Sequence, residues 1–328
     1  MRLLVDARWI GDHGIGRFAR EVLARLPNAT WLTGGPRPFS PGDLIWLTLA
    51  IGRERPDIFF SPGPNVPPWI VAPYVLTLHD LIPLQFPGRR RLAKRVYFAG
   101  LVRTAVRRAR CVLTVSAFSK REILEWAGVP DERIRIVGNG VSPRFCPDGP
   151  RKDLGAPFLL YVGSYKAHKN LPRVIRAFGV SKLTRDVLLV LSGTGDHALR
   201  RIVEKLGLEA RVRFAGPIPE DELPTWYRGA TALILASLTE GFGLPAVEAM
   251  ACGTPVLTSR AGALPETVGD AGVYVDPHDV ESIAAGMERI VFDETLRGEL
   301  RQRGLARARE FSWDRTAAEV MTALNEFG

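Results

Sequence analysis

The chain has 328 residues, 46% hydrophobic and 24% charged, a globular composition in a length beyond what one hydrophobic core usually supports. Its formal net charge of +9 is uneven: residues 1–150 carry 22 Lys and Arg against 12 Asp and Glu, and the remainder 22 against 23. No apolar run is long enough to span a bilayer, and Cys111, Cys146 and Cys252 are odd in number and scattered, which argues against a disulfide framework or a zinc site and fits a reducing cytoplasm.

Taken in order, Arg2-Leu3-Leu4-Val5 predicts a strand that runs into Asp6, without the long apolar core of a signal peptide. Gly11-Asp12-His13-Gly14-Ile15-Gly16-Arg17 reads as a glycine-rich loop opening a helix, with Gly14 and Gly16 placed to approach a phosphate. The glycine spacing is not that of a dinucleotide fingerprint. Ser61 to Pro73 is a proline-rich loop, expected near a cleft edge, and Tyr74 to Leu78 is a strand that ends at His79-Asp80.

Arg89, Arg90, Arg91, Lys94 and Arg95 lead through Val96-Tyr97-Phe98 to Arg103, Arg107, Arg108 and Arg110 without one acidic residue. That pattern predicts a basic amphipathic helix suited to an anionic membrane surface, with a merely solvated helix face as the plain alternative. No nucleic-acid module accompanies it, so nucleic acid is not an expected partner. Strands follow at Cys111 to Val115 and Ile134 to Val137; Ser116 heads a capped helix between them, and Gly138 to Val141 is a turn.

Gly140 to Pro150 is dense in Pro and Gly and reads as a hinge. The alternation then restarts, with strand-like runs at Phe158 to Val162, Val187 to Leu191, Val212 to Phe214, Ala232 to Leu235, Pro255 to Leu257 and Val273 to Val275. The predicted architecture is α/β: two doubly wound, Rossmann-like parallel-sheet domains, residues 1–146 and 151–313, facing a central cleft. Ligands of such sheets bind in loops after strands.

The most informative stretch is Glu240-Gly241-Phe242-Gly243-Leu244-Pro245-Ala246-Val247-Glu248-Ala249-Met250-Ala251-Cys252-Gly253. Pro245 suits a first helical turn, Gly253 suits an exit, and the uncapped N–H groups of the helix start attract a phosphate. Two carboxylates bracket that start and can accept hydrogen bonds from sugar hydroxyls.

With Gly-Phe-Gly-Leu-Pro between the glutamates and Ala-Cys-Gly-Thr-Pro-Val after them, the segment resembles the signature of the family 4 retaining glycosyltransferases, which have the GT-B fold. The resemblance runs through nearly the whole chain. It implies Glu248 on the nucleotide ribose, Glu240 on the donor sugar, and His79 beside that sugar. Tyr161-Val162-Gly163-Ser164 and His168-Lys169-Asn170-Leu171 are similar to the start of the family's donor domain, which implies Lys169 against the diphosphate at a helix N-terminus. Many relatives carry Arg where this chain has Ser164 or His168.

His79, Lys169 and Glu240 are therefore the expected catalytic residues, orienting the sugar and stabilising charge rather than attacking it. Gly14, Gly16, Ser164, Gly193, Gly195, Ile218, Gly241, Phe242, Gly243 and Leu244 are the further donor contacts expected. The resemblance implies that residues 1–146 bind the acceptor and residues 151–313 the nucleotide-sugar donor, and the last segment, about 314–328, looks like the terminal helix that packs back on the first domain. No Asp-x-Asp pair adjoins these motifs, so neither a metal nor another cofactor is expected. The resemblance is to mannosyltransferases using GDP-mannose, with a glycan or lipid-linked acceptor in surface-polysaccharide synthesis, at the inner face of the plasma membrane. A sugar-nucleotide epimerase or hydrolase of the same fold, and a non-catalytic nucleotide-sugar sensor, are the alternatives.

Overall fold

In the computed structural model, which describes residues 1–86 and 91–327 and the backbone alone of Arg91, each half of the chain winds its own parallel sheet. The first half runs β1 (Leu3–Asp6), α1 (Gly14–Leu23), β2 (Thr30–Leu32), α2 (Asp43–Glu54), β3 (Ile58–Ser61) and β4 (Tyr74–Thr77). It continues through α3 (Ile82–Gln85), α4 (Arg91–Tyr97), a π-helical turn at Phe98–Val102, α5 (Arg103–Arg108), β5 (Cys111–Thr114), α6 (Ala117–Ala127) and β6 (Ile134–Ile136). The strand order is β2-β1-β3-β4-β5-β6.

The second half contains β7 (Phe158–Tyr161), α7 (Leu171–Val180), β8 (Leu188–Leu191), α8 (His197–Lys205), β9 (Val212–Phe214), α9 (Leu223–Gly229) and β10 (Ala232–Leu235). It closes with α10 (Leu244–Ala251), β11 (Val256–Ser259), α11 (Leu264–Val268), β12 (Gly272–Val275), α12 (Val280–Phe292) and α13 (Glu294–Ala308), with strand order β12-β11-β10-β7-β8-β9. The last helix, α14 (Trp313–Phe327), joins Met1–Gly140 to form one compact unit, and Val141–Phe311 forms the other.

The expected doubly wound α/β class is therefore the observed one. Central strands such as Phe158-Leu159-Leu160-Tyr161 are buried on both faces, so they read as continuous apolar runs and were legible as such. β2, exposed and three residues long, and β3, which merges into the proline-rich loop, are strands the run pattern did not mark. In unit 1, α14 lies so close behind the turn after β6 that a Cβ on Gly140 would fall 2.1 Å from the Trp313 nitrogen.

Each sheet reverses its direction of growth once, between β1 and β3 in unit 1 and between β7 and β10 in unit 2. Such switch points leave a crevice at the carboxyl ends of the two strands, the default ligand position in this architecture. At the unit 1 switch point the guanidinium of Arg8, its side chain 3% exposed, donates to both oxygens of Asp6 at 2.7 and 2.8 Å and to Asp43 Oδ1 at 2.7 Å. That ion triad ties the end of β1 to the start of α2.

Candidate active site

The loops after β7 and β10 flank the unit 2 switch point, and they bring Lys169 and Glu240 together. Lys169 Nζ donates to Glu240 Oε1 at 2.7 Å and Oε2 at 2.9 Å. Both side chains are mostly buried, and Ser237 Oγ adds a third bond to Oε1 at 2.6 Å. A carboxylate with three charge-assisted bonds is held in one orientation.

Lys169 is not in the first turn of α7, as expected, but in a 3-10 turn, Ala167–Lys169. Asn170 separates the two, left-handed at φ 63°, a conformation Asn tolerates better than most residues. Its buried amide donates to the carbonyls of Ala236 (3.0 Å) and Pro277 (2.6 Å), so the Lys169 turn is stitched to the end of β10. Asn170, Ser237 and Gly262 were not singled out in the sequence. A Cβ on Gly262, at φ 61°, would sit 2.5 Å from the Glu240 carbonyl oxygen, so only glycine lets that loop back the Glu240 segment.

Glu248 lies inside α10, 2% exposed, and Tyr227 from α9 donates its hydroxyl to Oε2 at 2.9 Å. Gly243 holds the N-cap of α10 with no side-chain cap, and Pro245 is in the first turn. Phe242 stacks edge-on against Phe311 at 5.5 Å, and its carbonyl accepts from Thr267 Oγ1 at 2.7 Å; Gly241 precedes it and Leu244 opens the helix. Gly193 pairs with Gly216 in an isolated bridge after β8 and β9, and Gly195 N donates to Tyr165 Oη at 3.2 Å. Ile218 follows that bridge, half-buried. Ser164 is exposed, its carbonyl accepting from Tyr161 Oη at 2.6 Å; burial, and then the Glu240 charge, push the Tyr161 phenol upward.

The remaining candidates belong to unit 1. Gly14 is the first residue of α1, and the expected phosphate-facing amide at Gly16 is already engaged, donating to His13 Nδ1 of the N-cap at 2.9 Å. Gly16 is required by packing instead, since a Cβ there would lie 2.3 Å from the Gly11 carbonyl oxygen. His79 is buried against Phe18, edge to face at 4.9 Å, and its Nε2–H donates to the Pro62 carbonyl at 3.0 Å. Burial holds its pKa down at about 4, outweighing the Pro62 bond, so the imidazole is neutral near pH 7 with the proton on Nε2. His168 is likewise depressed to about 4 by burial. Of the basic stretch, Arg89 and Arg90 lie outside the described residues, Arg91 opens α4, and Lys94 and Arg95 are exposed on it.

Comparison with known proteins places this geometry in a family. Residues 5–145 match Glycosyltransferase Family 4 and residues 147–309 match Glycosyl transferases group 1. The O-antigen chain mannosyltransferase B of Escherichia coli is 32% identical, the match covering 92% of this chain and 82% of that protein. A D-inositol 3-phosphate glycosyltransferase of Acidothermus cellulolyticus is also 32% identical, over 76% of this chain but 61% of its own length. The crystal structure of Anabaena HepE in complex with UDP-glucose shares the fold, with a TM-score of 0.82, 19% identity and coverage of 99% and 100%. The chain belongs to the group 1, family 4 glycosyltransferases and is a glycosyltransferase of the GT-B fold.

Proposed function

We propose that this glycosyltransferase moves mannose from GDP-mannose, with retention of anomeric configuration and without a metal ion, onto a glycan or lipid-linked acceptor at the inner face of the plasma membrane. The observation that carries the donor reading is the buried Lys169–Glu240 pair at the unit 2 switch point, with Glu248 on the helix that starts beside it. Departure of a nucleoside diphosphate builds negative charge, which the Lys169 ammonium and the uncapped start of α10 stabilise, while Glu240 and Glu248 accept hydrogen bonds from donor hydroxyls. The mannosyl assignment rests on the relative matched over nearly the full chain. Polysaccharide synthesis as the setting rests on the same likeness.

The membrane part of the reading has its own support. No helix among the described residues is long and apolar enough to cross a bilayer. Unit 1 does expose Ile45 and Leu49 one turn apart on α2, together with Trp69 and Val71, the last 98% exposed. Trp69 is fastened to α2 by donating Nε1–H to Thr48 Oγ1 at 2.8 Å. Exposed apolar side chains of this size mark an interaction surface, and with exposed Lys94 and Arg95 in a strongly basic half they suit anionic lipid headgroups.

Thermal stabilisation by GDP, UDP, dTDP and ADP in EDTA tests the donor site, since a ligand of the native state raises the midpoint by mass action. Stabilisation by GDP, lost in Lys169→Ala and Glu248→Ala, is the expected result; stabilisation by UDP alone overturns the GDP-mannose assignment. Product analysis by NMR then reads the anomeric configuration. Equal sedimentation with neutral and anionic vesicles overturns the membrane reading.

A further inference from the structure

The switch point of unit 1 carries a cluster that the donor reading does not use. Phe39, in the segment between β2 and α2, has φ 69°, the left-handed region, where a bulky aromatic residue is a true outlier. Two contacts enforce this. Its N–H donates to Asp43 Oδ2 at 2.9 Å, and Asp43 is itself clamped by Arg8. The result is a ring 51% exposed, standing edge to face on Trp9 at 5.4 Å and on Tyr97 at 5.6 Å. The strain leaves half of an apolar ring facing solvent even with those two contacts made, and strained residues concentrate where ligands are held.

Two further observations point to what the ring meets. Trp9 Nε1–H and Asn65 Oδ1 are buried and have no hydrogen-bond partner among the described residues, although the Asn65 amide nitrogen donates to Asp43 Oδ2. An unmet donor and an unmet acceptor each carry a desolvation cost that a partner removes. Trp9 touches the Phe39 ring directly, and Asn65 is linked to Phe39 through Asp43, whose Oδ2 accepts from both. A neutral ligand with an apolar face and a rim of hydroxyls satisfies all three groups: the face packs on Phe39 and the hydroxyls serve donor and acceptor. A pyranose ring has that chemistry. A phosphate fits less well, because Arg8, the cation bonded to Asp43, already spends its guanidinium on Asp6, Asp43 and the Pro36 carbonyl.

The geometry points to Phe39, Trp9 and Asn65 as the recognition site for a hexopyranose unit of the acceptor glycan. This rests on the glycosyltransferase activity but not on which nucleotide sugar is the donor. The test is NMR of the whole chain labelled with 15N at its tryptophan indoles, titrated with the methyl α-glycosides of mannose, glucose and galactose. Thermal shifts with GDP and UDP are recorded on the same samples.

The Trp9 indole signal, assigned through Trp9→Phe, is expected to shift saturably with at least one glycoside, and Phe39→Ala to weaken that binding by about tenfold, as loss of an aromatic anchor does. Phe39→Gly separates recognition from structure: glycine adopts φ 69° without strain, so its melting temperature holds or rises while glycoside binding falls. Absence of any shift at Trp9 overturns the proposal, as does glycoside affinity unchanged in Phe39→Gly. Failure of both nucleotides to stabilise a protein that binds glycosides at Trp9 strikes the donor site alone.

Discussion

The two switch points are built from opposite strategies. In unit 2 a lone ammonium meets a carboxylate, Lys169 and Glu240, with both side chains mostly buried but not sealed off; in the proposed function a phosphate and a hydroxyl group take over its bonds. In unit 1 the guanidinium of Arg8 is locked by two carboxylates and almost fully buried, so its charge supports the loops rather than greeting a ligand, and what faces outward is the Phe39 ring. A charged ligand suits the first arrangement and a neutral one the second.

Replacing Arg8 by Met breaks this comparison most severely. Asp6 and Asp43 lose their cation inside the protein, and removing one partner of a buried ion pair costs about 3–5 kcal/mol, measurable as a fall in the urea midpoint. A fall smaller than about 1 kcal/mol means that the triad does not hold unit 1 together. Lys169→Ala acts on rate as well as on nucleotide binding: loss of one group that stabilises developing negative charge lowers kcat by about 10²–10³-fold. Because Glu240 shares that contact, Lys169→Ala and Glu240→Ala together are expected to cost much less than the sum of the two. Additive effects would show that the pair does not act as a unit.

The histidines give each unit a smaller, pH-gated effect. His79 in unit 1 and His168 in unit 2 both titrate near 4 in the native chain, below the ordinary 6.5. Below about pH 6.5 the unfolded chain takes up protons that the native state refuses, so stability is full above that pH and drains away as pH falls toward 4. Each shift is worth about 3 kcal/mol over that window. His79→Gln is expected to remove about one proton from the slope of unfolding free energy against pH and leave the His168 contribution. An unchanged slope sinks the assignment of His79 as a neutral buried group.

How far the sequence reveals this depends on how local the physics is. The interior strands were legible because both their faces are buried, and the two ends of α10 because Gly243 and Pro245 punctuate its start and Gly253 its exit. Lys169, Glu240 and Glu248 were singled out as candidates through motifs that span a few residues each. What escaped is what meets only in three dimensions. Arg8 and Asp43 are 35 residues apart and Lys169 is joined to Ser237 only through Glu240, with no spacing rule to link them. Phe39 lies in Arg37-Pro38-Phe39-Ser40, where nothing in the composition announces a left-handed phenylalanine. The engaged Gly16 amide was hidden for the converse reason, since a histidine N-cap and a phosphate loop look alike in one dimension.

The smallest expected effect belongs to Tyr227→Phe, and it sharpens the comparison within unit 2. The hydroxyl reaches one oxygen of Glu248, Thr254 Oγ1 anchors the Tyr227 carbonyl at 2.6 Å, and the side chain is fully buried. Removing the hydroxyl deletes a bond to a charged acceptor, worth about 1.5–3 kcal/mol, while leaving the ring and its contact with Phe145 in place. If Tyr227 orients Glu248 for the donor, the loss falls on nucleotide affinity: the donor KM rises about tenfold or more for that energy and kcat changes little. If Tyr227 is only part of the core, the melting temperature falls and the donor KM of the folded fraction does not move. The two outcomes separate a positioning role from packing in one variant, and they decide whether the buried carboxylate of α10 is as finely held as the one at Glu240.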